Sequence, residues 1–176
     1  MPANSFYYNS PVGALYIASN ETGITAVSFV NRESKQVMEE TLIDYSKPVD
    51  GILLPCYNQL NDYFDGKLQD FDLPLAQEGT EFQQSVWNAL TGIPYGETTS
   101  YLALSKKLGN VKAIRAVGTA NGKNNIAIIV PCHRVIGSNG DLVGYAGDLW
   151  RKKWLLSHEA AFSGKRKQME LGFMEL

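Results

Sequence analysis

The chain is poor in cysteine, in histidine and in long apolar runs. Its 176 residues include two cysteines, Cys56 and Cys132, and two histidines, His133 and His158. These four do not fall at the spacing of a tetrahedral site, so neither a structural nor a catalytic metal is expected. The cysteines stand in unlike contexts, "LLPCYNQL" and "VPCHRV", which argues against a disulfide framework. No apolar run approaches the roughly 18–20 residues that cross a bilayer, so no membrane partner is expected. The opening "MPANSFYYNS" lacks a basic segment followed by an apolar one, and no secretory signal is read. Together these absences point to the cytoplasm, where thiols stay reduced. Internal repeats are missing too. What remains is the composition of a globular protein, 44% apolar and 19% charged, long enough for one domain or for two small ones sharing a core.

The net charge of −2 conceals an asymmetry. Residues 1–79 carry four Lys/Arg against eleven Asp/Glu, and residues 80–176 carry twelve against seven. A basic half joined to an acidic one suggests that the second half meets a polyanion.

The first thirty residues predict an antiparallel meander. "SFYY", "ALYIAS" and "GITAVSFV" are strand-like and are separated by the turns "NSPVG" and "SNETG". Helices are predicted over "RESKQVMEETLIDY" and "LLPCYNQLNDYFDG", the second with Pro55 in its first turn, Gly66 at its end and Cys56 as a packing residue. "DFDLPLAQEG" predicts a final strand and a linker, with a boundary near residues 76–80. Thr80 and Gln83 then have capping-box spacing before an apolar stripe of Phe82, Val86, Trp87 and Leu90. "SYLALSKKLG", a short turn "NVK" and "AIRAVGTANGKN" predict a helix-turn-helix. Its second helix shows small residues and one arginine, a poor set for reading base edges. Such a face suits close approach to a backbone or a minor groove. "NIAIIVP" predicts a buried strand, "CHRVIGSNGDLVGYAGD" a glycine-rich loop, and "LWRKKWLLSHEAAF" a last helix with Asp148 as its N-cap.

Cys132 closes the apolar run beside His133 and Arg134. An unperturbed thiol is only a few per cent thiolate at neutral pH, so a nucleophilic cysteine needs a base, and the base needs an acid to orient it. Neighbours in an extended strand point to opposite faces, so a Cys132–His133 relay requires a turn at Pro131–Cys132 or a bridging water. Glu81, Glu97, Asp141, Asp148 and Glu159 are all candidates for the acid, and spacing does not choose among them.

"GTEFQQSVWNAL", "IPYGETTSY", "AIRAVGTA", "IVPCHRVI", "GYAGD" and "KKWLLSHE" together resemble the O6-alkylguanine-DNA alkyltransferase family over about residues 79–160. The N-terminal part is only loosely similar to that family's ribonuclease-H-like domain. The resemblance implies an α+β fold. Residues 1–78 would be a ribonuclease-H-like three-stranded antiparallel sheet with helices. Residues 79–165 would be a mostly helical DNA-binding and catalytic domain, and 166–176 a tail. It implies direct-reversal repair, in which the alkyl group of O6-alkylguanine, and of O4-alkylthymine, moves irreversibly to Cys132. No cofactor is implied. The partner would be double-stranded DNA, entered through the minor groove by a monomer, with cooperative binding left open.

By the same resemblance Cys132 is the acceptor, His133 takes its proton through a water, and Glu159 holds His133. Asn124 bridges the turn around Cys132, and Tyr101 donates to the departing guanine. Tyr145 contacts the lesion oxygen. Backbone groups at Cys132, Val135 and Ala146 line the base pocket. Arg115 fills the gap left by the flipped nucleotide, while Ala116, Gly118, Thr119 and Ala120 line the minor-groove face. The sequence departs from the family pattern at Val111, Asn125, Val143 and Asp148. Val143 stands where a small residue is common, which predicts a pocket narrowed against bulky O6 substituents. Three other readings stay open: a sensor of alkylated DNA without chemistry, a cysteine hydrolase, and a helix-turn-helix transcription factor. Cys132 argues against the sensor, whose relatives carry tryptophan there.

Overall fold

The computed structural model describes residues 4–30, 51–145 and 147–164. The helix predicted over residues 32–45 and the tail 166–176 lie outside the described residues. The fold is α+β, with the sheet N-terminal and the helices mostly C-terminal.

Strands β1 (Asn4–Ser10), β2 (Gly13–Ser19) and β3 (Ile24–Phe29) form the predicted meander in the order β1-β2-β3. Both pairings are antiparallel, with Tyr7 opposite Tyr16 and Ile17 opposite Val27. Alternation decides which face is buried. Phe6, Tyr8, Leu15 and Ile17 point inward beneath helix α1 (Leu53–Phe64), which adds Leu53, Cys56, Leu60 and Tyr63. The Tyr8 hydroxyl donates to Asn61 Oδ1 at 2.7 Å. Gly66, with φ at +75°, lets the chain leave α1.

The strand predicted in "DFDLPLAQEG" is not formed. Contact there is one bridge, in which Ile24 N donates to Pro74 O and Ala76 N to Ile24 O, both at 2.8 Å. Pro74 has no N–H to extend a ladder. A second single bridge joins Val27 to Ile126. The outer edge of β3 is therefore covered by two short segments, one from each half of the chain.

Helix α2 (Glu81–Thr91) opens on the predicted capping box: Gln83 N donates to Thr80 Oγ1 at 3.1 Å and Thr80 N to Gln83 Oε1 at 3.0 Å. Helix α3 (Tyr101–Lys107) is capped by Ser100 and closed at Gly109, with φ at +79°. A 3-10 turn (Val111–Ala113) leads into α4 (Ile114–Gly122), completing the helix-turn-helix. Trp87 Nε1 donates to the Ala120 carbonyl at 2.9 Å and ties α2 to α4.

The predicted strand "NIAIIVP" is buried but coiled. Ile129 N returns to Ala127 O at 2.8 Å and Val130 N to Ile126 O at 3.0 Å. Ile128 has φ at +71°, a costly conformation for a β-branched residue. Asn124 holds this coil from inside: its Nδ2 donates to Val130 O at 2.8 Å and its Oδ1 accepts from Ile126 N at 3.1 Å. Its amide thus takes bonds that a ladder would have supplied. After a 3-10 turn (Cys132–Arg134), β5 (Val135–Ile136) pairs in parallel with β4 (Thr99–Ser100). Helix α5 (Leu149–Phe162) ends the described chain.

Candidate active site

The turn needed at Pro131–Cys132 is present, because the 3-10 turn starts at Cys132. Cys132 is 5% exposed and lines a cavity of about 440 Å³. Helix α3 supplies Tyr101 to this cavity, and α4 and its exit supply Gly118, Asn121 and Asn124. The loop before α5 supplies Gly144, Tyr145 and Gly147. The remaining wall comes from the N-terminal sheet, through Val27, Ser28 and Phe29.

Glu159 is the acid brought to His133, and the distance from His133 Nε2 to Glu159 Oε1 is 2.7 Å. Both side chains are fully buried. Arg134 grips the same carboxylate twice, from Nε at 2.8 Å and Nη2 at 3.0 Å, while its Nη1 donates to Ile93 O. Tyr63 adds a hydroxyl donor at 2.8 Å. Burial alone would raise the Glu159 carboxyl. The charge and hydrogen bonds of His133 and Arg134 outweigh it and hold the group well below the usual carboxylate range. An ionised carboxylate only accepts hydrogen bonds. In neutral His133 the proton therefore sits on Nε2, and Nδ1 keeps a lone pair. Nδ1 is buried and has no protein partner. It is the ring nitrogen left open to accept a hydrogen bond.

The thiol is not a resting thiolate. Burial raises Cys132 above its ordinary value, with Asn124 and Lys152 acting in the opposite direction. Burial and the nearby Cys132 likewise raise the phenols of Tyr101 and Tyr145. Both remain protonated donors at neutral pH. Tyr101 donates to the Val143 carbonyl at 3.2 Å, whereas the buried Tyr145 hydroxyl has no protein partner. Asn121 Oδ1 is also buried and unpartnered. Buried polar atoms around a cavity that lack partners favour a polar occupant.

The structure gathers Cys132, His133, Glu159, Asn124, Tyr101 and Tyr145 at one place. Val143 is brought there by its carbonyl alone. Its side chain is half exposed, packs toward Gly137, and is absent from the cavity wall. Val135 is buried in β5 and donates its N–H to Cys132 O, outside the cavity lining. Ala146 lies outside the described residues. On α4, Arg115, Ala116 and Thr119 are exposed and Gly118 reaches the cavity. Ala120 faces the core instead, because its turn of the helix packs on Trp87. Asp148 sits at the start of α5, but its carboxylate makes no capping bond. Its φ of +71° and ψ of +150° turn the side chain toward Arg151, at 3.5 Å.

Sequence reasoning missed Lys152, Arg134, Tyr63 and Asn121. Lys152 is fully buried, and its ammonium donates to Val143 O at 3.1 Å and Gly144 O at 3.2 Å. Burial lowers it to about 8. Its spacing was a usable signal: Lys152, Leu155, Leu156 and Glu159 share one helical face. Tyr63 carried no such signal, since only the fold brings it to Glu159.

Residues 81–161 match the family model "6-O-methylguanine DNA methyltransferase, DNA binding domain". Residues 6–77 match that family's ribonuclease-like domain. The chain is 47% identical to the methylated-DNA–protein-cysteine methyltransferase of Methanosarcina acetivorans, over 88% of this chain and 96% of that one. This chain belongs to the O6-methylguanine-DNA methyltransferase family. It is also 43% identical to the constitutive methylated-DNA–protein-cysteine methyltransferase of Bacillus subtilis, over 92% and 99% of the two chains. Among solved structures, the Mycobacterium tuberculosis methyltransferase OGT in complex with DNA matches with a TM-score of 0.77 and 43% identity, covering 90% of this chain and 93% of that one. Among the described residues no helix is long and apolar enough to cross a membrane.

Proposed function

We propose that this protein repairs alkylated DNA by moving the alkyl group of O6-alkylguanine, and of O4-alkylthymine, onto its own Cys132, once per molecule. The observation that carries this is a buried thiol on a cavity wall, next in sequence to an imidazole whose partner is a buried, ionised Glu159.

The chemistry balances without a cofactor. The alkyl carbon lies inside a stacked duplex, so the nucleotide must first leave the stack, at a cost of a few kcal/mol. His133 Nδ1 takes the Cys132 proton through a water, and Glu159 stabilises the imidazolium that forms. The sulfur then attacks in line: the S–C bond forms, the O6–C bond breaks, and guanine leaves with the electron pair. Tyr101 donates to the leaving base, and Tyr145 offers its hydroxyl to the lesion oxygen. A thioether has no easy return path, so turnover ends there. Keeping the thiol neutral until a base is bound protects it from stray electrophiles.

Residues 1–78 act as the ribonuclease-like domain, 79–165 as the DNA-binding and catalytic domain, and 166–176 as a tail. The protein acts as a monomer in the cytoplasm, where its two free thiols stay reduced. Helix α4 lies in the minor groove with Ala116 and Thr119 toward the backbone, and Arg115 fills the space of the flipped nucleotide.

The test is intact-protein mass spectrometry after incubation with a duplex carrying one O6-methylguanine, beside Cys132→Ser. A stoichiometric gain of one methylene mass on Cys132 is expected. Tight binding with no gain would instead make the protein a sensor of damage.

A further inference from the structure

We propose that Phe29, in the N-terminal sheet, sets the size of the O6 substituent that the Cys132 cavity accepts. The inference rests on the reading of Cys132 as alkyl acceptor and assigns the specificity of that site.

The end of β3 forms part of the cavity wall, and Phe29 is the one large side chain it supplies. The ring is held on several sides. Its edge meets Tyr145, with centroids 5.7 Å apart and planes at 65°. The Arg151 guanidinium lies 5.0 Å from the ring centre. Arg151 is itself fixed, donating to Val12 O at 2.7 Å and to Gly147 O at 3.1 Å. Gly147 allows this packing, because a Cβ there would come within 2.3 Å of the Phe29 ring. These contacts resist a swing of the ring that would make room for a larger group. The ring stands beside Tyr145, the tyrosine assigned to the lesion oxygen. A substituent larger than methyl must compete with it for space. Val143, expected from its place in the motif to narrow the pocket, has its side chain outside the cavity lining.

The experiment compares single-turnover transfer from duplexes carrying O6-methylguanine or O6-benzylguanine. The proteins are wild type, Phe29→Ala, Phe29→Leu, Gly147→Ala and the Phe29→Ala/Gly147→Ala double variant. Contacts of this size discriminate by about 10- to 200-fold. The benzyl-to-methyl rate ratio is expected to rise by at least about tenfold in Phe29→Ala, with Phe29→Leu between. Gly147→Ala is expected to slow both reactions by displacing the Phe29 and Tyr145 rings from their packed positions, and Phe29→Ala to relieve that loss in the double variant. A purely structural role for Phe29 would lower both rates together and leave the ratio unchanged, overturning the proposal. So would a double variant no faster than Gly147→Ala alone. If wild type gains no methyl on Cys132, the reading of the site itself fails, which is a different result.

Discussion

Replacing Tyr63 with phenylalanine removes one oxygen and tests whether the N-terminal half supports the relay. The hydroxyl donates to Glu159 Oε1 at 2.8 Å, and both residues are fully buried. Glu159 would keep Arg134, His133 and a longer bond from Gly96 N at 3.5 Å. A hydrogen bond to a buried charged group is worth about 1.5–3 kcal/mol. For a chain of this size that corresponds to a melting temperature lower by about 3–12 °C. The change also carries a sign in pH. The Glu159 carboxyl is held below its unfolded value. The stability it contributes is therefore present above about pH 4.3 and is lost as pH falls through its folded value. With one donor gone the folded value rises, so the loss on acidification should be complete at a higher pH in Tyr63→Phe than in wild type, and the gap between the two proteins should close in strong acid. Urea unfolding from pH 7 down through the whole acid limb measures both effects. A Tyr63→Phe variant within about 0.5 kcal/mol of wild type, with an unmoved acid limb, would refute the claim that this bond is a buried, charge-assisted one.

Three further outcomes are expected. Asp148→Gly should stabilise the fold by about 0.5–2 kcal/mol in thermal unfolding, since it relieves a backbone conformation that is nearly glycine-only and loses only one long ion pair, at 3.5 Å, whose carboxylate side is exposed. Lys152→Met should lack a pH dependence seen in wild type. The cost of burying the ammonium is present below its lowered value of about 8 and is relieved as pH climbs toward about 10.4, so wild type should gain stability on the variant across that window. Arg115→Ala should weaken binding to a lesion duplex more than to an undamaged one, since the arginine is assigned to the space left by the flipped nucleotide, in a fluorescence anisotropy titration.

The elements that could be read from the sequence were those with local signals. The capping box at Thr80–Gln83, the turn at Gly109 and the alternation of Phe6, Tyr8, Leu15 and Ile17 each state their structure within a few residues. "NIAIIVP" misled because its burial and its β-branched content are real, whereas its conformation is dictated by the Asn124 side chain. The same limit applies to the site. Cys132, His133 and Glu159 sit in quotable motifs. Tyr63 and Phe29 lie in ordinary apolar patterns, and only the tertiary fold gives them partners.

Those partners change how the two halves should be viewed. Tyr63 donates to Glu159, and Gln77 donates to Asn124 Oδ1 at 2.7 Å, on the residue that shapes the turn before Cys132. The Val12 carbonyl fixes Arg151, and Arg151 in turn braces Phe29 against the cavity. Each contact reaches a different part of the candidate site: the carboxylate beside His133, the turn before Cys132 and the cavity wall. A C-terminal piece alone would keep every residue assigned to the chemistry. It would also leave Glu159 short of a donor, Asn124 short of a partner and the cavity open on one side. The N-terminal sheet and α1 are thus part of the candidate site, supplying position to the residues proposed for the chemistry.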